Sequence, residues 1–452
     1  MTNIFFTMML MVFSSCEKNN EEPLVHPYIP SDAGLKEMPL WDPPETAIHI
    51  DPANTDDPGR DGSIDHPFIS FEEVTWENNQ VYALKRGTTL HTGTVMIFAD
   101  SVTLASYGEG ERPVINSSSD LHAVSTAWEG SHNITIRDIE VYAPEASSCV
   151  IFRTNSTNAK VINCKLHGAE WGLRALNHID GLYVYNTEIF DIADDGMFIK
   201  NTQNIEIAHC YIHKVNQNWQ PPETPEGEAA GDGIQFYLCN KWHVHHNIID
   251  RSDTGNKFCF ISNNPSQNNG ILEKNLLIAP AKGGGAAVYI GDGTGLVIRY
   301  NHIKGPGFSP FYSHASGLKI YYNVFRNFSG PLLSGGSAEI FNNLFYNMGM
   351  GIEGGKVVVH NNIFDLGAVN RPRFKVNDLT ESHNLFAYGL PTNGSFVGNP
   401  EYVDAPNGDF RPLPGSETID EGKDLGFHWD KDGNSVPNGG APDIGPFEFQ
   451  KR

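Results

Sequence analysis

A chain of 452 residues with 39% hydrophobic and 19% charged residues has ample apolar material for a large folded core. Its 54 acidic against 31 basic residues leave a formal net charge of −23, which favours solubility and excludes nucleic acid as a partner. The same acidity opposes an anionic polymer as substrate unless cations or a local basic patch intervene.

The chain opens with an apolar run, Ile4 to Phe13, ending in Ser14-Ser15-Cys16. The run is too short to span a bilayer as a helix but suits the apolar region of a signal peptide. The small residues before Cys16 resemble the lipobox of bacterial lipoproteins, although Phe13 is a less usual residue there and no Lys or Arg precedes the run. That resemblance implies a signal peptide over 1–15 and lipidation at Cys16. It also implies an exported lipoprotein of the outer membrane or periplasm, anchored through outer-membrane lipid. Residues 16–45, beginning Glu17-Lys18-Asn19-Asn20-Glu21-Glu22, then read as a polar tether. The remaining cysteines, Cys149, Cys164, Cys210, Cys239 and Cys259, are odd in number and lack CxxC spacing, so they read as small core residues.

Residues 46–130 read as an N-terminal cap and first coils. A strand from Ile48 leads through a Gly/Asp/Pro loop to a short amphipathic stretch around Phe71 to Trp76. Strands follow at Val81 to Leu84, Val95 to Phe98 and Val102 to Leu104.

From 131 to 390 one pattern dominates, an apolar zigzag closing on Asn-x-Ile or Asn-x-Phe, as in VINCKL, VYNTEI, VHHNII, IRYNHI and IFNNLF. Its last apolar residues are Leu166, Ile189, Ile212, Ile249, Ile278, Ile303, Phe325, Phe345, Phe364 and Phe386, giving steps of 23, 23, 37, 29, 25, 22, 20, 19 and 22 residues. Such steps fit one turn of a β-solenoid. Period-two alternation makes each copy a strand, and successive copies stack in parallel at ~4.8 Å. Asn247, Asn301, Asn323, Asn343, Asn362 and Asn384 then form one column, whose amides pair rung to rung at a bend that tolerates a left-handed backbone. The close, 391–452 with GNPEYVD and APDIGPFEF, reads as a C-terminal capping segment without catalytic residues.

This repeat resembles the secreted right-handed parallel β-helix proteins, the pectate-lyase-like superfamily of polysaccharide lyases, hydrolases and epimerases. The resemblance covers roughly Ile48 to Phe449 and implies the handedness, which periodicity does not show. It also implies a monomer acting on a polysaccharide.

Insertions in a solenoid fall in its turns, so the adjacent long steps of 37 and 29 mark the functional side. Aligning GLRAL, GMFIK, GIQFY and FCFIS puts Trp171, Asp195, Asp232 and Lys257 in one column, with Asp194, Asp253, Arg251, Arg174 and Lys200 nearby. β-Elimination of a uronic-acid polymer needs a base for the proton α to the carboxylate and a cation for the enolate. Lys257 is the expected base, aided by Asp195, Asp232 and Arg251. Ca²⁺ is the expected cofactor, held by Asp194, Asp195, Asp232 and Asp253. Trp171, Trp219, Arg174, Lys200 and His246 are the expected substrate contacts. Similarity to calcium-dependent pectate lyases extends to those Asp and Lys positions only. A glycoside hydrolase with an Asp pair, resembling the polygalacturonases at Asp194-Asp195, is the alternative. It lacks their Gly-His-Gly and Arg-x-Lys motifs. A C5-epimerase and a non-catalytic glycan-binding β-helix are further alternatives.

Overall fold

The computed structural model describes residues 32–216, 231–252, 258–265, 268–280, 286–330, 332–349, 351–367, 372–389, 391 and 394–451. These form an all-β parallel solenoid. One sheet of 22 strands bends into two faces and a second has 14 strands, so each regular coil contributes three strands. Among the described residues the registers between coils are parallel, whereas Tyr402–Asp404 pairs antiparallel with Asp409–Pro412 and Trp429 with Ser435 in the C-terminal segment. No helix occurs among the described residues. The amphipathic stretch makes turns, and Phe71 and Trp76 close the first coil by stacking at 5.9 Å, with Trp76 against Tyr82.

Inward residues form one continuous core, and similar side chains stack on like neighbours. Phe325, Phe345, Phe364 and Phe386 follow each other at 5.2, 5.3 and 4.9 Å between ring centroids. Each such buried ring contributes about 2–3 kcal/mol of burial. The five described cysteines are buried and free, as their spacing suggested.

The asparagine column is present with one correction. Ile249 pairs with Leu277, not Ile278, so the run Asn275-Leu276-Leu277 is the repeat unit and Asn275 joins the column. Asn301 shows the bonding. Its Nδ2 donates to Leu272 O, Arg299 O and Asn323 Oδ1, at 2.8, 2.9 and 3.0 Å, and its backbone N–H donates to the same Asn323 oxygen at 2.9 Å. The left-handed backbone belongs to the preceding residue, as at His246, Lys274, Tyr300 and Tyr322, with φ from 53° to 57°.

The expected tether is in contact with the solenoid from Asp32 onward. Gly34 N–H donates to His246 O at 2.7 Å, Lys36 N–H to Asn186 Oδ1 at 2.6 Å and Trp41 N–H to Asp138 Oδ2 at 3.2 Å. The polar corner residues of successive coils supply these acceptors, which composition alone did not reveal. The C-terminal segment covers the same corner further along, with Asn361 Nδ2 donating to Lys423 O at 2.8 Å.

Candidate active site

The site corner is set by a column of small residues. Gly172, Gly196 and Gly233 turn the chain into the strands Trp171–Tyr185, Met197–Ala208 and Ile234–Tyr237. A Cβ on Gly196 would lie 2.6 Å from Gly233 O and 2.8 Å from Ile212, so only glycine fits between these coils. The strand registers Leu173↔Met197, Met197↔Ile234 and Ile234↔Phe260 extend this alignment by one residue to Gly172, Gly196, Gly233 and Cys259.

The residues before the glycines are therefore Trp171, Asp195, Asp232 and Phe258. This corrects the expected alignment by one position, and a one-residue slip exchanges one column for its neighbour. Phe258, not Lys257, follows Asp232. Lys257, Asp253 and Trp219 lie outside the described residues, as does Cys16.

Asp195 and Asp232 are brought together as expected but are almost fully buried, at 2% and 3% exposure. They work as rungs: Asp232 N–H donates to Asp195 Oδ1 at 2.7 Å, and Phe258 N–H donates to Asp232 Oδ1 at 2.8 Å. Burial first, and then the neighbouring acids Asp232 and Asp194, push the Asp195 carboxyl well above the usual range.

The accessible acids occupy the adjoining column, where Asp194 N–H donates to Glu170 O at 2.8 Å. Glu170 and Asp194 are each half-buried, on successive coils. Burial, Glu170 and Asp232 raise Asp194 to about 7, against the opposing pull of Arg174 and Arg251. Glu170 is also raised by burial, partly offset by Arg174 and by a hydrogen bond from Ser147. The sequence reading missed Glu170. Its signal was its place directly before Trp171, matching that of Asp194 before Asp195.

Arg174 lies with its guanidinium 4.2 Å from the Trp171 ring and 6.0 Å from Phe198, so both expected contacts face this corner. Lys200, two residues past Phe198, sits with Nζ 5.5 Å from the Tyr237 ring on the same sheet face. Arg251 is fully buried and donates to Phe258 O at 3.2 Å, which makes it a framework cation for the corner.

His246 does not join the site. It belongs to the left-handed corner column two strands further round its coil, where Nε2 meets Asp32 Oδ2 at 2.9 Å. His213, His243 and His245 likewise face carboxylates, Glu188, Glu273 and Glu206, on the other faces.

Among the described residues no group of three or more His, Cys, Asp or Glu side chains is arranged to hold a metal ion. Asp195 and Asp232 each commit an oxygen to a backbone N–H. The described residues therefore do not by themselves fit the expected calcium site. A cavity of about 680 Å³ lined by Tyr346, Asp365, Tyr388 and Tyr402 lies near the C-terminal segment, away from these acids.

A sequence-family model described as a right handed beta helix region matches residues 114–276. With the observed coil stacking, the fold is a right-handed parallel β-helix. No curated protein matches the sequence. Among solved structures, the chain is similar to a GH136 lacto-N-biosidase from Eubacterium ramulus, at TM-score 0.44 and 10% identity, covering 78% of this chain and 67% of that one. It is similar to the pectate lyase Pel9A at TM-score 0.41 and 13% identity, covering 89% and 97%. It is similar also to the A-module of the Azotobacter vinelandii mannuronan C-5 epimerase AlgE4, at TM-score 0.37 and 12% identity, covering 71% and 91%.

Proposed function

We propose that the corner bearing Glu170 and Asp194 cleaves glycosidic bonds of a polysaccharide by acid and base catalysis. The observation that carries this reading is a partly buried carboxyl, Asp194, raised to about 7 by burial and by two neighbouring acids. Such a group still holds a proton near neutral pH and can deliver it to the departing glycosidic oxygen. Glu170, on the neighbouring rung with backbones ~4.8 Å apart, is the proposed partner carboxylate, and close carboxyls suit direct attack on the anomeric carbon in a retaining mechanism. Asp195 and Asp232 act as positioning residues: they hold the rungs in register, and Asp232 raises Asp194. Trp171 offers an aromatic platform for a sugar face.

β-Elimination is the second reading, favoured by the cation Arg174 beside the acids, which would neutralise a uronate carboxylate as its α-proton leaves. Lys257 is its proposed base. Calcium belongs to this reading as a proposal that depends on Asp253.

The test is to incubate the protein with neutral and uronic polysaccharides, with and without chelator, and follow new reducing ends and the ultraviolet absorbance of an unsaturated uronic product. Hydrolysis predicts reducing ends without that absorbance, indifferent to chelator and lowered about 10²-fold or more in D194N. Absorbance that chelator and Lys257→Ala abolish would replace hydrolysis by elimination.

A further inference from the structure

Next to the carboxyl pair, on the coil of Glu170 and the coil before it, two arginines occupy one outward face. Ile151, two residues before Arg153, is in register with Arg174, so the two arginines are diagonal neighbours with Cα atoms ~8 Å apart. Each guanidinium lies on an indole, Arg153 at 3.5 Å from Trp128 and Arg174 at 4.2 Å from Trp171. Among the described residues neither makes an ion pair. Arg153 Nε donates to Ser125 Oγ at 2.9 Å and Arg174 Nη1 to Ser147 Oγ at 3.4 Å, while the buried Nε of Arg174 has no partner.

The wall beside them is also unsatisfied. His122, Ser148 and Trp171 are in register on three successive coils. His122 is 8% exposed and Ser148 fully buried, yet His122 Nδ1 and Ser148 Oγ have no partner. Burial, then Arg153 and Arg174, lower His122 to about 4, so the imidazole adds no charge at neutral pH. Arg153 is itself lowered, by burial first and then by the nearby Arg174. Arg174 shares its charge with the nearby Glu170, Asp194 and Asp195, but Arg153 is set against another cation, a pairing that an anion joining the two would relieve. Guanidinium forks match the paired oxygens of a carboxylate or sulfate, and the indoles match the apolar face of a sugar ring.

We propose that Arg153, Arg174, Trp128 and Trp171 form a subsite for the anionic substituent, carboxylate or sulfate ester, of a sugar bound beside Glu170 and Asp194. The proposal deepens the carbohydrate-cleaving reading and rests on it for the bound class. It supplies the local basic patch that lets a chain of net charge −23 take an acidic glycan.

The test titrates the tryptophan fluorescence of an E170Q/D194N variant, in which turnover is removed. The ligands are oligosaccharides of polygalacturonate, alginate and glucuronan, a sulfated galactan oligosaccharide and a neutral cello-oligosaccharide. At least one anionic ligand is expected to bind, weaken with added salt, and lose about ten-fold affinity in R153Q and again in R174Q. The uronate and sulfate arms show which group is taken. Trp128 is 65% exposed, so W128A keeps the fold and is expected to lose affinity for the same ligand. Equal binding of the neutral ligand, no anionic binding at all, or unchanged affinity in a folded R153Q would each overturn the subsite. If the wild type cleaves nothing while arginine-dependent binding persists, the catalytic reading fails and the subsite stands.

Discussion

Two corners of this solenoid solve the same problem with different chemistry. From Asn247 to Asn384 the corner is a column of buried amides, and each both donates to and accepts from its neighbours. At Asp195 and Asp232, the corner before strands Met197–Ala208 and Ile234–Tyr237, the rungs are carboxyls, each accepting a backbone N–H from the following coil. An ionised carboxylate cannot donate, so the acidic column accepts without donating, and Asp232 adds to the burial and the Glu170 charge that raise Asp194. Amides tie the coils together by donating and accepting, whereas the buried acids add their field to the neighbouring Asp194.

The sharpest way to break this contrast is to place an acid in the amide column. Asn323 Nδ2 donates to Ile298 O, Tyr321 O and Asn343 Oδ1, and N323D removes all three bonds while burying an acid. A stability loss of about 3–5 kcal/mol at neutral pH is expected in denaturant melts, partly recovered at acid pH. Unchanged stability would mean that the amide column does not hold the coils.

The converse change sharpens the contrast. D194N is expected to lower cleavage about 10²-fold or more while raising stability above pH 7. Asp194 has a folded-state value of about 7 against 3.8 unfolded. Its favourable contribution is therefore full below about 3.8 and is lost progressively as pH rises to about 7. Wild-type thermal melts should fall across that window relative to D194N, by an amount on the order of 1 kcal/mol. D195N keeps an oxygen for the Asp232 N–H and removes the buried acid, so it too should hold or gain stability, read in the same melts. W128A, on an exposed ring, should change stability by less than about 0.5 kcal/mol.

The fold was legible because Asn-x-Ile and Asn-x-Phe mark one corner of nearly every coil. It failed by one residue at Asn275-Leu276-Leu277-Ile278, where three apolar residues in a row hide which one faces inward. The site failed by one residue for a related reason. Cys259 replaces the glycine of the earlier coils at a position that demands only smallness, so Phe258 was aligned with the glycines and Lys257 with the aspartates. Acid identity was legible at Asp194, Asp195 and Asp232, but which acids reach solvent was not. Alternation breaks at the glycine corner, and only the folded coil shows that Glu170 and Asp194 face outward. Arg153 and Trp128 lie on coils of ordinary length, where no insertion draws attention.

The central claim is that Asp194 holds its proton to neutrality, and a carboxyl-carbon NMR titration of the wild type, with D194N identifying the resonance, measures it directly. A midpoint near 7 that shifts down in E170Q is the predicted result. A midpoint near the unperturbed 3.8, unmoved by E170Q, would contradict the account.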